Sequence, residues 1–250
     1  MSPASGLVRA SHPAPAVAVT VISMGLAVVW GRSPGGIAAV GAAILAGQLS
    51  VGWLNDYLDR DRDAASGRQD KPIPNGEVGA KAVLIAFAAA SVALVPLSFL
   101  SGLIPGLVHL LAVLSAWSYN ALLKGTAFSV LPYAVSFAGG PAFVVLGVPA
   151  IPPWWLLAAG ALLGSGAHFA NALPDLAQDL ATGVRGLPHR LGPRYSWAAT
   201  CVLLLAAAAV LNPYAVAISA VVLLFGRRRP FQAAMLVALL DVVLLIVTTP

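Results

Sequence analysis

Apolar runs of about 20 residues, the length a helix needs to cross a hydrocarbon core, follow one another along almost all of this 250-residue chain. They lie near 15–30, 36–57, 79–100, 103–123, 128–148, 153–177, 194–211, 213–226 and 231–249, separated by short polar stretches. Backbone in lipid must satisfy its own hydrogen bonds, so such runs fold as helices. With 59% hydrophobic and only 9% charged residues, and a mean hydropathy of +0.88, a water-soluble globule is excluded. The expectation is an all-α integral membrane protein: one polytopic domain over 1–250 whose nine transmembrane helices form a bundle. The first run is followed by many others rather than by a cleavage site, so it is read as a retained span and not a signal peptide.

Lysine and arginine test this count, because their distribution over short loops sets orientation. With nine helices and a cytoplasmic N-terminus, every base except Arg32 falls on the cytoplasmic side. The C-terminus is then extracytoplasmic. The pI near 9.8 follows from these dispersed loop bases; no soluble basic face gathers them, so nucleic acid is not expected as a partner. Cys201 is the single cysteine, and no internal disulfide is possible.

The acids are distributed quite differently. Of nine in the chain, all but Glu77 and Asp241 fall in two segments, Asn55–Gly76 and Asn171–Pro188. Both segments read N-x3-D-x3-D-x3-G: Asn55, Asp59, Asp63 and Gly67 are matched by Asn171, Asp175, Asp179 and Gly183. Residues four apart lie on one face of a helix, about 6 Å apart along its axis. Each segment therefore makes a polar stripe at a helix end, and Asp56 flanks the first. Solvating a loop does not require one spacing twice; for Arg60, Asp61, Arg62 and Asp70, off the stripe, loop solvation accounts equally well. Pro174 is expected to kink or unwind the second helix.

Carboxylates crowded at a membrane boundary repel one another and resist burial, so each stripe needs a cation. Oxygen ligands without a cysteine or histidine pair favour Mg²⁺ over zinc, and Mg²⁺ commonly bridges carboxylates to substrate phosphates. Two facing stripes suit a diphosphate held through two Mg²⁺ ions, with Arg68, Lys71, Lys124 and Arg185 completing the charge balance. The metal candidates are Asp56, Asp59, Asp63, Asp175 and Asp179.

The run N-D-x2-D-x3-D at Asn55, Asp56, Asp59 and Asp63, the following KPIPNG and the later D-x3-D at Asp175 and Asp179 resemble the UbiA-type intramembrane prenyltransferase superfamily. The RASHP opening is similar to the Arg-x3-Pro start of many members, and the resemblance covers nearly the whole chain. It implies a helical bundle around a central cavity, open at the cytoplasmic side, in which two Mg²⁺ ions hold an isoprenyl diphosphate donor. Asn55, Asp56, Asp59 and Asp63 would serve one ion and Asp175 and Asp179 the other, with Asn171 beside them. Lys71 stands where many members have an arginine before proline. Members often carry Tyr-x3-Lys after the fourth helix; here Tyr119 and Lys124 are one residue further apart. The implied reaction is transfer of the isoprenyl group to a hydrophobic acceptor, aromatic in most such families, within the bilayer. His168 and Tyr119 are candidates for the acceptor side, although an interhelical structural histidine is the simpler account of His168.

Two competing functions remain at this point. A membrane terpene cyclase of the same superfamily would use the same diphosphate chemistry without an external acceptor. A cation or metal transporter would use the repeated acids as its site, but both stripes lie at one face rather than near the midplane.

Overall fold

The structure is a computed structural model that describes residues 3–68 and 70–248, and every regular element in them is helical. The α-helices are α1 (Pro3–Ala10), α2 (Pro13–Val29), α3 (Pro34–Ala65), α4 (Ala80–Phe99), α5 (Leu103–Ser118), α6 (Leu131–Leu146), α7 (Trp154–Ala172), α8 (Leu176–Ala181), α9 (Leu187–Leu211), α10 (Ala215–Gly226) and α11 (Pro230–Thr248). Each apolar run carries one of the longer helices, but length divides them. Five described spans are long and apolar enough to cross a membrane: α3, α4, α5 with its extension to Leu123, α7 continued to Ala181, and α9. The pair α1–α2 qualifies only as one span bent by 61°, while α6, α10 and α11 are shorter apolar helices.

Packing follows chain order around a ring. Helix α2 packs on α3, α3 on α4, α4 on α5, α5 on α6, α6 on α7, α7 on α9, α9 on α10 and α10 on α11, and α11 returns to α2. Small residues set the closest approach. A Cβ on Gly160 would lie 2.4 Å from the Phe137 carbonyl oxygen, and one on Gly164 2.5 Å from that of Tyr133. This small-x3-small stripe lets α6 and α7 backbones touch without any hydrophobic drive between helices in lipid.

Two helices matter most for the site. Ser33 caps α3, its side chain accepting from Gly36 N, and Pro34 opens the first turn. With 32 residues, α3 is about 48 Å long at 1.5 Å per residue, well beyond the roughly 30 Å of a hydrocarbon core. Its apolar part ends at Leu54, so the excess length projects Asn55 to Ala65 past it. On α7, Pro174 breaks the regular helix: a 3-10 turn at Leu173–Asp175 leads into α8.

The opposite end of the bundle is dry. Leu26, Val40, Ile44, Phe143, Val144 and Leu156 form a buried cluster from α2, α3, α6 and α7. Above it Arg32, only 9% exposed, donates to the Gly147 carbonyl at 3.0 Å and to Ser101 Oγ at 2.8 Å. One buried arginine thereby joins the α2–α3, α4–α5 and α6–α7 connections.

Candidate active site

The repeated sequence motif turns out to be a repeated local structure. At the end of α3, Gly67 adopts φ 68° and Gly183, after α8, φ 87°, the left-handed region that glycine enters without strain. Gly67 N donates to Ala64 O and Arg68 N to Asp63 O, at 3.1 Å each. Gly183 N donates to Leu180 O at 3.2 Å and Val184 N to Asp179 O at 2.9 Å. Both are the paired bonds of a Schellman cap, with the last aspartate of each motif three residues inside the end. The four-residue spacing and the terminal glycine therefore place Asp63 and Asp179 in equivalent positions on two helix ends.

On α3 the acids are buried: Asp56 is 2% exposed, Asp59 7% and Asp63 6%. Buried carboxylates require partners, and distant segments supply them. Asp56 Oδ1 accepts from Lys71 Nζ at 2.7 Å and lies 2.8 Å from His12 Nε2. Asp59 Oδ2 is paired with Lys124, receives Arg62 Nη2 at 2.7 Å and the Asn55 amide at 3.2 Å. Asn55 is itself held against Asn120 Oδ1 at 3.2 Å. Asp63 has no ion pair of its own among the described residues.

Lys124 reaches Asp59 through an unusual turn. Tyr119–Leu123 is a π-helix, and Lys124 N donates to Tyr119 O at 2.9 Å, five residues back. A π-turn fits one extra residue into a single helical turn. It absorbs the extra residue between Tyr119 and Lys124, so the two share a face as they would at a spacing of four in an α-helix.

The second motif meets the first through Arg68. Its Nη1 lies 3.2 Å from Asp175 Oδ2 and 3.5 Å from Gln178 Oε1, and Gln178 Nε2 donates to Ser66 O at 3.2 Å. Arg68 also grips Asp70 with two hydrogen bonds of 2.7 and 2.8 Å. Those bonds pull the Asp70 carboxyl down to about 2 against its partial burial. Asp179 Oδ2 is paired with His189 Nε2 at 3.1 Å.

Two expected ligands stand apart from this network. The Asn171 amide donates to Tyr133 OH at 3.4 Å rather than to an acid, and Arg185 is exposed, its carbonyl accepting from Arg190 Nε at 2.9 Å. Tyr119 and His168 meet instead, ring centroids 5.6 Å apart.

The profile of the UbiA prenyltransferase family matches residues 16–248. The chain belongs to the UbiA prenyltransferase family. Curated relatives include digeranylgeranylglyceryl phosphate synthases from Halobacterium salinarum, 31% identical over 84% of this chain and 77% of that one, and from Methanothrix thermoacetophila, 35% identical over 62% of this chain. The latter match spans 58% of the relative's length. The fold agrees with a UbiA homologue from Archaeoglobus fulgidus bound to DMAPP and Mg²⁺, at TM-score 0.72, 14% identity and coverage of 97% and 99% of the two chains. It agrees equally with an apo UbiA homologue from Aeropyrum pernix K1, at TM-score 0.71, 19% identity and coverage of 92% and 97%. The aromatic acceptor expected from most UbiA families finds no support among these relatives, whose names point to a glyceryl phosphate.

The UbiA residues fit Mg²⁺ by donor chemistry, since both motifs offer hard carboxylate oxygens. No three of His, Cys, Asp or Glu stand close enough to share one ion among the described residues. That matches an ion held by one or two carboxylates and completed by substrate phosphates rather than by a protein cage. In the UbiA site His12, His189, Asn120, Gln178 and Tyr133 all touch motif residues, and none was singled out from sequence. His12 alone carried a local signal: the bases of RASHP precede Pro13, and its backbone is the one non-glycine at positive φ, 53°, among the described residues.

Proposed function

We propose that this UbiA protein transfers an isoprenyl group from an isoprenyl diphosphate to the hydroxyl of a glyceryl-phosphate lipid, releasing diphosphate. The observation that carries this is the Arg68–Asp175 bridge, which brings the two acid motifs and the bases Lys71 and Lys124 to one end of the bundle. The names of the relatives support the glyceryl-phosphate acceptor over an aromatic one. Bound Mg²⁺, two ions in this proposal, supplies neutralisation of the diphosphate charge. One or two of Asp56, Asp59 and Asp63 would hold one ion, with Asp175 and Asp179 serving the other.

The chain's own groups then act as follows. Arg68, Lys71 and Lys124, each already beside a motif carboxylate, donate to the diphosphate oxygens and stabilise the charge that builds as the allylic carbon–oxygen bond breaks. The bonding pair leaves with the diphosphate. An oxygen lone pair of the acceptor forms the new ether bond to the allylic carbon, and the hydroxyl proton passes to the released diphosphate. The apolar helices keep water from the carbocation. Asn55 braces Asp59, and Asn171 with Tyr133 shapes the far wall. The positive-inside pattern supports nine spans, a cytoplasmic N-terminus and a site opening to the cytoplasm.

The test is diphosphate release by purified protein in detergent from geranylgeranyl diphosphate, with Mg²⁺ or EDTA, with and without geranylgeranylglyceryl phosphate. Mg²⁺-dependent release that needs the acceptor, and is lost in Asp59→Asn and Asp175→Asn, establishes the transfer. Release without acceptor, giving a cyclic hydrocarbon, indicates a cyclase instead. No release from any donor removes the proposal and returns the transporter.

A further inference from the structure

Ser129 and His168 are buried, 0% and 2% exposed, and meet at Oγ···Nε2 3.0 Å between the α5–α6 connection and α7. The same Oγ already accepts from the Leu187 backbone N–H at 2.9 Å. A serine hydroxyl has one proton to give, and among the described residues Nε2 is the acceptor left for it. The imidazole has no carboxylate beside it and sits out of water, so it is neutral. With Nε2 accepting, the ring proton is on Nδ1.

That Nδ1 is buried and has no hydrogen-bond partner among the described residues. Buried donors are almost always paired, so an orphan N–H beside Tyr119 and Tyr133 calls for an acceptor. The ring lies 4.9 Å from Tyr133 and 5.6 Å from Tyr119, centroid to centroid. Tyr133 OH receives Asn171 of the second motif. On α7, His168 and Asn171 stand three residues apart and share a face.

We infer that the Nδ1–H of His168 is the hydrogen-bond donor that receives the reacting oxygen of the acceptor. The inference rests on the prenyl-transfer reading above. It assigns a chemical class to the acceptor's reacting atom: an oxygen with two lone pairs, one taken by Nδ1–H and the other free to attack the allylic carbon. Because Nδ1 already carries its proton, His168 orients the acceptor and does not deprotonate it. Ser129 is a positioning residue, acting by fixing the tautomer.

Two variants separate the ring nitrogens. In His168→Gln the amide reaches the place of Nε2 and keeps Ser129, but the δ donor is gone; in His168→Asn the amide stands in for Nδ1. With geranylgeranyl diphosphate and geranylgeranylglyceryl phosphate, His168→Gln is expected to raise the acceptor KM about tenfold and leave the donor KM unchanged, and His168→Asn to stay within about threefold. An acceptor analogue lacking the reacting hydroxyl should inhibit wild type about tenfold more weakly than the hydroxyl compound binds. His168→Gln should not distinguish the two. Equal losses in both variants, or a His168→Gln enzyme that still favours the hydroxyl, overturn the inference. Wild type that turns over while the His168→Gln KM is unmoved refutes this assignment alone; wild type that makes no diphosphate refutes the functional reading and this assignment with it. Should a variant fail to fold, the ¹⁵N histidine spectrum of wild type decides: a protonated Nδ1 and bare Nε2 at His168 support the assignment, and the reverse overturns it.

Discussion

Deleting Leu122 tests the π-turn. Its side chain is 75% exposed, so no core packing is lost, and the deletion leaves Tyr-x3-Lys, the spacing an ordinary α-turn requires. Lys124 should keep Asp59. The control is deletion of Leu114, 51% exposed, from the regular part of α5. There each residue contributes about 100° of rotation and 1.5 Å of rise, so Lys124 swings a quarter turn off the site. Hydrogen bonds to charged groups contribute roughly 1.5–3 kcal/mol, and Arg62 remains on Asp59. The Leu114 deletion should therefore lose about 10- to 100-fold in Mg²⁺-dependent diphosphate release. The Leu122 deletion should stay within about threefold, under roughly 0.7 kcal/mol. Equal damage from the two deletions would refute the claim that the π-turn exists to hold Lys124 in register.

Arg68→Gln should raise the donor KM about tenfold or more, the scale of a charge-assisted hydrogen bond, with smaller change in acceptor KM; an unchanged donor KM counts against Arg68 as a phosphate ligand. Gly67→Ala and Gly183→Ala each place a Cβ at positive φ and should cost roughly 1–2 kcal/mol, read as lower Tm in detergent; an unchanged Tm would show that the caps do not need glycine. Arg68 holds the Asp70 carboxyl at about 2, below the ~3.9 of a free aspartate. Its stabilisation is thus complete above about pH 4 and disappears as pH falls towards 2. Asp70→Asn should be less stable than wild type at pH 6 and show a flatter acid limb between about pH 4 and 2; overlapping curves would show that the pair contributes nothing.

Local order was legible in the sequence and tertiary partnership was not. The spacing of Asn55, Asp59 and Asp63 announces a helical stripe, and its echo at Asn171, Asp175 and Asp179 announces a second, because helical period is written in four-residue steps. The glycines closing both repeats foretell the caps. Lys71 was legible because a base near acids in a greasy chain has few other uses, and Lys124 because it follows Tyr119 at nearly the Tyr-x3-Lys spacing of the family. His12 and His189 escaped because their aspartates become neighbours only after the bundle closes: His12 reaches Asp56 across 44 residues of chain. Tyr133 looked like any aromatic in an apolar run. The π-turn appeared in sequence as a mismatch of one residue, since residue spacing carries no record of how tightly a turn is wound. The short α6 and α10 show the other limit: hydropathy marks a run as apolar without fixing how much of it is helix.

The arginine seal at the far end bears on the insulation of the membrane. A site rich in acids and bases that reached through the bundle would be a proton leak, and at 100 mV each charge crossing dissipates about 2.3 kcal/mol. Here the two acid motifs and their bases gather at one end of the bundle. Beyond them lie the packed side chains of Leu26, Val40, Ile44, Phe143 and Leu156, and then Arg32 fastened to Ser101 and Gly147. An ion admitted beside Asp59 meets hydrocarbon packing and a fixed positive charge on that route. The fold can therefore keep a highly charged workplace inside an energised bilayer without discharging it.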